Sequence, residues 1–255
     1  MANPDNGSKK QGSCWSGEDL DSTDGSNSAH IWTVCLDRDE SAVRELRSFL
    51  SQEERDHSSK YRFATHRNRF IIRRGTLRMI LGEYLGMQPE VVRYRTGQFG
   101  KLYLADSSRT LEFNVTHSHT MALIAVTQGG SIGIDLECVR PLPDLEAMID
   151  TCLSRSERRH LDSFPSTLRL ESFYRYWTCK EAYLKALGVG LDRSLASVQV
   201  SVTVSETGHE ATLQTSSQEQ TDLAITSFVP HNGYMAAMAA PASVRPVMKT
   251  ATLPD

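Results

Sequence analysis

Gly133-Ile134-Asp135-Leu136-Glu137 is a short apolar run that carries two acids at alternate positions. Side chains two residues apart leave the same face of a β-strand, so the run predicts a strand that presents Asp135 and Glu137 together. Two neighbouring carboxylates repel each other unless a cation lies beside them. Proteins usually hold Mg²⁺ with one or two carboxylates, and substrate phosphates complete its shell. The run therefore predicts a metal-assisted phosphate site, with a solvated strand end as the alternative.

A second stretch follows about forty residues later, and its composition is typical of a helix: Trp177-Thr178-Cys179-Lys180-Glu181-Ala182-Tyr183-Leu184-Lys185-Ala186. Trp177, Glu181 and Lys185 are spaced by four residues and so share one stripe of that helix. Taken alone, Glu181 and Lys185 could form an ordinary exposed pair, which contributes only about 0.3 to 0.5 kcal/mol. The nearby strand with its two acids favours a functional site instead, and Trp177 is expected to pack and orient the helix.

Together the two stretches resemble the signature pair of the 4′-phosphopantetheinyl transferase superfamily, in its long surfactin-synthetase type. Three further segments agree in order and spacing with that family. The run 113–118 resembles its Phe-Asn-Leu-Ser-His-Ser strand end, Gly100-Lys101 resembles its Gly-Lys-Pro turn, and 69–78 resembles its arginine-rich helix. The resemblance covers about residues 30 to 240. Leu102 stands where the family usually has proline, and Thr116 replaces the usual serine while keeping the hydroxyl.

The resemblance implies transfer of the 4′-phosphopantetheine group of coenzyme A to a serine of an apo acyl or peptidyl carrier protein, with 3′,5′-ADP as the leaving group. It identifies the chain as a holo-[acyl-carrier-protein] synthase type of enzyme. Asp135, Glu137 and Glu181 would hold Mg²⁺ on the pyrophosphate, and Lys185 would neutralise charge on the phosphate oxygens. Glu181 is the first choice for the base that takes the serine proton, directly or through a water, and Glu137 is the second.

The resemblance also implies a set of residues that bind coenzyme A: Arg69, Arg74, Gly100, Lys101, Thr116, His117 and Lys185. Guanidinium groups suit a 3′-phosphate and a pyrophosphate, and a partly charged His117 would donate hydrogen bonds to a phosphate. A solvated basic face is the alternative for the arginine-rich helix. Arg73 and Arg78 are expected to be structural, and the roles of Lys180, which could also face the phosphates, and His119 stay open. A zinc site at His117 and His119 lacks a third ligand.

Two other functions are compatible with the same acids. A Mg²⁺-dependent hydrolase of nucleoside pyrophosphates would use water in place of the carrier serine. A catalytically silent module would bind carrier proteins or nucleotides without reaction. A requirement for a protein acceptor distinguishes the transferase from the hydrolase, and the presence of all three acids and Lys185 disfavours the silent module. The acceptor is expected to dock at the loop between Pro141 and Thr151 and at the helix that starts near Ser154.

The chain contains a repeated motif, since Leu-Ser-x-x-Glu-Arg occurs at 50–55 and again 103 residues later at 153–158. In each copy a serine followed three residues later by a glutamate predicts a capping box at a helix start. A strand-like run precedes each copy and a long helical stretch follows it. The repeat predicts an α+β fold of two similar halves related by a pseudo-two-fold axis, with the ligand in the cleft between them.

The expected organisation is a flexible tail over 1–29, a coenzyme A nucleotide half over 30–129, a metal and catalytic half over 130–240, and a loose C-terminal extension over 241–255. The chain has 255 residues, a net charge of −3 and five cysteines. This charge argues against a surface that binds nucleic acid in general. The cysteines are odd in number and show no paired spacing, so the sequence indicates neither a disulfide framework nor a zinc site. No apolar run approaches a membrane span or signal peptide. A cytoplasmic monomer that does not associate with membranes is expected.

Overall fold

The computed structural model describes residues 27–106, 108, 110–189, 194–205, 208–213 and 222–253. Its elements, in chain order, are β1 (Ser28–Cys35), α1 (Glu40–Ser48), α2 (Gln52–Ser59), α3 (Ala64–Leu85), β2 (Tyr94–Thr96), β3 (Leu102–Leu104), β4 (Glu112–Ser118), β5 (Met121–Thr127), β6 (Gly133–Cys138), α4 (Leu145–Cys152), α5 (Arg155–Asp162), α6 (Ser166–Leu187), β7 (Val200–Ser205), β8 (Gly208–Leu213), β9 (Leu223–Phe228), β10 (Tyr234–Pro241) and β11 (Arg245–Thr250). None of the helices in these ranges is both long and apolar enough to cross a membrane.

The predicted α+β class with two similar halves is confirmed by the order of these elements. Each half runs from a strand through two short helices to a helix of 22 residues and then to further strands. Ser51 and Ser154 each form the predicted capping box, at the start of α2 and of α5. The long helices α3 and α6 end at Gly86 and Gly188, whose φ values of 64° and 71° suit a residue without a Cβ.

A buried ion pair repeats between the halves as well, and no sequence motif predicted it. Glu54 of the first capping box accepts from Arg78 of α3 at 2.6 Å, and Glu157 of the second accepts from Lys180 of α6 at 2.6 Å. In each half the cation also donates to two backbone carbonyls. The hypothesis that Lys180 faces the phosphates is therefore wrong, because its fully buried ammonium has all three donors occupied in the core.

The two larger sheets pack face to face and join the halves. One sheet has the strand order β11-β1-β5-β4 and the other has the order β6-β10-β9. Alternate residues of these strands, including Ile31, Leu123, Ile134 and Met238, form one buried cluster between the sheets. The opposite faces pack against the helices of their own half. The carboxyl-bearing strand β6 thus lies between the two halves, where the ligand cleft was expected.

Strand β6 also approaches α6 unusually closely, and Gly133 makes this possible. A Cβ at Gly133 would overlap the backbone of Ala182 and Ala186. Only glycine lets the two backbones approach to this distance. The approach places the side chains of β6 and α6 beside each other, although about fifty residues separate them along the chain.

Both predicted chain ends need correction. Ser28 starts β1 and Ala29 is fully buried, so the ordered chain begins before the end of the expected tail; residues 1–26 lie outside the described residues. The stretch after Pro241 is not a loose end. Its strand β11 pairs in parallel with β1, and Leu253 is buried in the core of the first half. This pairing satisfies backbone groups of a segment whose weak periodicity did not predict a strand.

Another correction concerns the segment expected to meet the acceptor. Most of the predicted loop between Pro141 and Thr151 is the helix α4. Its inward face buries Ile149 and Cys152 in the core of the second half.

Candidate functional site

The acids of β6 meet the stripe of α6 that carries Glu181 and Lys185. Asp135 is almost fully buried, and its Oδ1 accepts from the Lys185 ammonium at 2.5 Å. The hydroxyl of Thr116 donates to the same Oδ1 at 3.2 Å, and Lys185 lies 3.4 Å from that hydroxyl. The partner of Lys185 is therefore Asp135 on a neighbouring strand. The alternative in which it forms only an exposed pair with Glu181 is wrong.

Strand β4 of the first half supplies the other side of this site. Asn114 accepts from the backbone of Ile134 at 2.9 Å, and the Ser118 hydroxyl donates to Glu137 at 2.9 Å. Asn114, Thr116 and Ser118 alternate along β4, so their side chains lie on the same face of that strand, and this face contacts β6. Ser118 was not among the predicted site residues. Its position in the run 113–118, two residues after Thr116, could have indicated that it shares this face.

The carboxylates of Asp135, Glu137 and Glu181 repel one another. Burial, and then the negative charge of Asp135, raise the pKa of Glu181 to about 7. The same two causes raise the pKa of Glu137. Among the described residues, neither Asp135 Oδ2 nor Glu181 Oε1 has a hydrogen-bond partner, although both atoms are buried. Buried carboxylate oxygens without donors are costly, so the cluster favours a positively charged ligand.

A pH dependence of stability follows from the raised pKa of Glu181. The folded protein holds the Glu181 proton more tightly than the unfolded chain does. The protonated carboxyl therefore makes its full contribution to the free energy of unfolding below pH 4.5, and this contribution is lost as the pH rises through about 7. Glu181→Gln should therefore gain stability relative to wild type between pH 5 and 8. Urea unfolding in EDTA measures this gain.

Glu53→Gln is the matched control, because Glu53 is an exposed glutamate on α2. The free-energy difference between this variant and wild type should not change over the same pH range. A constant difference for Glu181→Gln would contradict the raised pKa.

The cationic side of the site is a small cavity beside the acids. It has a volume of about 80 Å³ and is lined by Arg73, Arg74, Gly100, Lys101, Leu102, Asn114 and Val115. The Nε atoms of Arg73 and Arg74 are buried and have no hydrogen-bond partner among the described residues. Burial, and then repulsion from Arg74, lower the pKa of Arg73 to about 10. Two crowded guanidinium groups with unused donors favour an anionic ligand in this cavity.

His117 lies beside these cations, and Arg73 Nη1 is 3.2 Å from its Nδ1. Although the residue is exposed, desolvation of the ring and then repulsion from Arg73, Lys185 and Arg74 lower its pKa to about 4. The expectation of a partly charged His117 concerns the ring beside a bound phosphate, and it stays a prediction. An anion in the adjacent cavity would raise this pKa by offsetting the positive charges.

The arginines of α3 that line the cavity and those that form structural contacts are only in part the ones that were predicted. Arg69 forms a two-pronged ion pair with Asp37, at 2.6 and 2.9 Å, and donates to the carbonyl of His119. Arg78 is buried against Glu54, as expected of a structural residue. Arg73, expected to be structural, lines the cavity with Arg74 instead. The structure thus brings Arg73 to the site and commits Arg69 to another partner.

The Gly100-Lys101 turn is present, but the Lys101 ammonium, which was expected to bind coenzyme A, donates to backbone carbonyls instead. Gly100 adopts a φ of 81°, and Gly97 donates to the Lys101 carbonyl at 2.7 Å, so the turn forms despite Leu102 in place of proline. The Lys101 ammonium donates to the backbone carbonyls of Ile132, Lys185 and Ala186. Trp177 packs against the core of the second half, as expected.

The described residues contain no preformed group of three or more His, Cys, Asp or Glu side chains that could hold a metal ion. The donor chemistry nevertheless fits Mg²⁺, because this ion needs only one or two protein carboxylates when phosphates supply other ligands. The unpartnered oxygens of Asp135 and Glu181 are suitable donors. His117 and His119 form no zinc cluster in the described part of the chain.

The fold and the site define an α+β protein that brings three acids of β6 and α6 close to two clustered arginines of α3. The chain belongs to the 4′-phosphopantetheinyl transferase superfamily, whose family model matches residues 131–239. It is 38% identical over 216 residues to 4′-phosphopantetheinyl transferase HetI of Nostoc sp., across 84% of this chain and 88% of the relative. It is 32% identical over 169 residues to the putative 4′-phosphopantetheinyl transferase slr0495 of Synechocystis sp., across 66% and 68%.

Solved structures similar to the chain include a holo-(acyl-carrier-protein) synthase from Bacillus anthracis in complex with CoA (3′,5′-ADP). That match has a TM-score of 0.34 and 23% identity, and it covers 43% of this chain and 92% of the other.

Proposed function

We propose that this enzyme transfers the 4′-phosphopantetheine group of coenzyme A to a serine of an apo acyl or peptidyl carrier protein, giving the holo carrier protein and 3′,5′-ADP. The observation that carries the proposal is the meeting of Asp135, Glu137 and Glu181 with Lys185 between the two halves. Membership of the superfamily supports the same reaction. No comparison supports the alternative of a pyrophosphate hydrolase.

Positioning and charge neutralisation dominate a displacement at phosphorus, because the protein has little covalent chemistry to perform. Lys185 is suited to this task. Its ammonium is held by Asp135 and Thr116, and 29% of the Lys185 side chain is exposed to solvent. A phosphate oxygen can therefore approach it while it remains in place. Neutralisation of charge that grows in the transition state lowers the barrier.

Asp135, Glu137 and Glu181 would hold Mg²⁺. When bound, the ion would polarise the phosphate oxygens and neutralise their charge. The support is the two unpartnered carboxylate oxygens and the mutual repulsion of the acids.

Glu181 is proposed as the base that accepts the serine proton, directly or through a water, because burial and the negative charge of Asp135 raise its pKa to about 7, near the pH at which a general base works best. Glu137 is the second choice, since the Ser118 hydroxyl already occupies its Oε2. A base needs an available oxygen within hydrogen-bond reach of the hydroxyl that it deprotonates.

Arg73, Arg74 and His117 are proposed to bind the phosphates of coenzyme A, with the Gly100 turn and Thr116 beside them. Arg69 and Lys101 are removed from the set because Asp37 and three backbone carbonyls respectively occupy their donors. The small cavity beside Asn114 has the charge for one phosphate group.

A comparison of coenzyme A with dephospho-coenzyme A tests this assignment. Arg73→Ala and Arg74→Ala should weaken coenzyme A by roughly 10-fold or more, since charge-assisted hydrogen bonds contribute about 1.5 to 3 kcal/mol. Dephospho-coenzyme A should be affected much less if the cavity holds the 3′-phosphate. Arg69→Ala should leave the ratio of the two affinities unchanged, as should Arg67→Ala, an exposed residue of the same helix. Equal losses for both ligands would place Arg73 and Arg74 elsewhere.

The organisation of the chain is proposed as a first half over 30–129, which receives β11 into its sheet, and a second half over 130–240. A monomer is proposed because β4 and β6, which form the two sides of the site, come from the same chain. The exposed side of α4 and α5 is proposed as the docking surface of the carrier protein. A cytoplasmic location, with neither nucleic acid nor membrane as a partner, remains part of the proposal.

In the decisive experiment, the protein is incubated with coenzyme A, Mg²⁺ and an apo carrier protein, and the mass of the carrier protein is measured by mass spectrometry. The expected result is a mass gain of one phosphopantetheine group, with equimolar 3′,5′-ADP. A carrier with its acceptor serine changed to alanine is the control and should gain nothing. Release of 3′,5′-ADP at the same rate without any carrier would favour the hydrolase.

A further inference from the structure

The β2–β3 hairpin belongs to the first half, yet its turn reaches the end of the catalytic helix α6 in the second. Lys101, at the end of this turn, places its ammonium 2.7 Å from the carbonyl of Lys185, 3.4 Å from that of Ala186 and 3.1 Å from that of Ile132. An ammonium has three N–H donors, so all three can be used by these carbonyls.

These three carbonyls belong to the two elements that carry the site. Lys185 and Ala186 form the last turn of α6, where backbone carbonyls lack partners within the helix and favour a positive charge. Ile132 directly precedes Gly133, the residue at which β6 approaches α6 most closely. One side chain therefore holds the backbone of β6 and of α6 at the point where Asp135 and Lys185 meet.

A second residue of the hairpin contacts the same helix end. Gly188 follows α6 with a φ of 71°, and a Cβ built there would lie 2.7 Å from the Tyr103 hydroxyl. The ring of Tyr103 also lies 5.5 Å from the Lys101 ammonium. The hairpin thus encloses the end of α6 from two sides.

We propose that Lys101 is a positioning residue of the transfer reaction: it fixes the last turn of α6 against β6 and thereby holds the Lys185 ammonium at Asp135 and Thr116. It acts on the backbone of the site and does not touch coenzyme A. The inference rests on the proposed function, because turnover is one of its measurements.

The variant that tests the role is Lys101→Met, which keeps the length of the side chain and removes its donors. Turnover should fall by about 10-fold or more, since displacing a catalytic group by about 1 Å can cost 10²-fold. KM for coenzyme A should change little. Relative to wild type, the loss should be equal with coenzyme A and dephospho-coenzyme A. Lys60→Met, at an exposed lysine of the first half, is the control and should match wild type.

A raised KM confined to coenzyme A, with turnover preserved, would make Lys101 a phosphate ligand and overturn the inference. Unchanged kinetics would overturn it too. The wild-type enzyme serves as the reference: if it transfers no phosphopantetheine, the proposed function fails, whereas a fully active Lys101→Met enzyme contradicts only the positioning role.

A measurement on the wild-type protein keeps the inference testable if Lys101→Met does not fold. Brief acetylation with acetic anhydride, followed by peptide mass spectrometry, should leave Lys101 protected both without and with coenzyme A. Lys60 should be modified in both cases. A Lys101 that is reactive in the free enzyme and protected only by coenzyme A would show a ligand contact and overturn the proposal.

Discussion

Asp135→Ala, Glu137→Ala and Glu181→Ala should each lower the rate of phosphopantetheine transfer by roughly 10²- to 10³-fold or more, because each removes a carboxylate that is proposed to hold Mg²⁺ beside the reacting phosphate. The fold should survive in all three, since the acids repel one another in the free protein. Transfer is measured by mass spectrometry of the carrier protein, and folding by circular dichroism.

Glu171→Ala is the matched control for Glu181→Ala, because Glu171 lies on the same helix with an exposed side chain. It should retain nearly full activity. EDTA should inactivate the wild-type enzyme, and Mg²⁺ or Mn²⁺ should restore it. Activity within a few-fold of wild type in any two of the three variants would refute the metal assignment.

Lys185→Ala should reduce turnover by roughly 10²-fold or more, because the lost interaction strengthens in the transition state. A stability loss should accompany it. Asp135 is almost fully buried and would lose the ammonium that pairs with it, which typically costs about 1 to 3 kcal/mol.

A double variant separates the two effects of Lys185. Adding Asp135→Asn to Lys185→Ala removes the unpaired buried charge, so urea unfolding should show recovered stability while transfer stays low. Lys185→Arg should rescue turnover poorly, because a planar guanidinium does not replace a compact ammonium beside Asp135 and Thr116. Near-normal turnover of Lys185→Ala on an apo carrier protein would contradict the catalytic role.

The candidate site was predictable to the extent that its parts are local in sequence. Alternation along a strand placed Asp135 beside Glu137, and helical spacing placed Glu181 beside Lys185. The sequence did not predict which arginines of α3 lie at the cavity. Arg69 and Arg73 share a stripe but lie one turn apart, and the fold places Asp37 beside Arg69 and the cavity beside Arg73.

Long-range packing also explains why the sequence could not place the side chains of Lys101 and Lys180. Lys101 and Lys180 are both charged residues in family-like motifs, and neither motif states which backbone carbonyls surround the ammonium. Lys180 is paired with Glu157, 23 residues away, and Lys101 reaches carbonyls 31 to 85 residues away. Burial of a charge requires such partners, so the fold decides where each of these lysines can lie.

The sequence by itself determined the elements whose signals span only a few residues: the two capping boxes, the acidic strand β6, the striped helix α6 and the repeated order of the halves. The tertiary structure decided the return of β11 to the sheet of the first half, the pairing of Lys185 with Asp135 and the enclosure of α6 by the Lys101 hairpin. The physical reason is distance along the chain. Dihedral preferences and side-chain periodicity act between near neighbours, whereas these contacts form only when the packing of whole sheets and helices brings remote residues together.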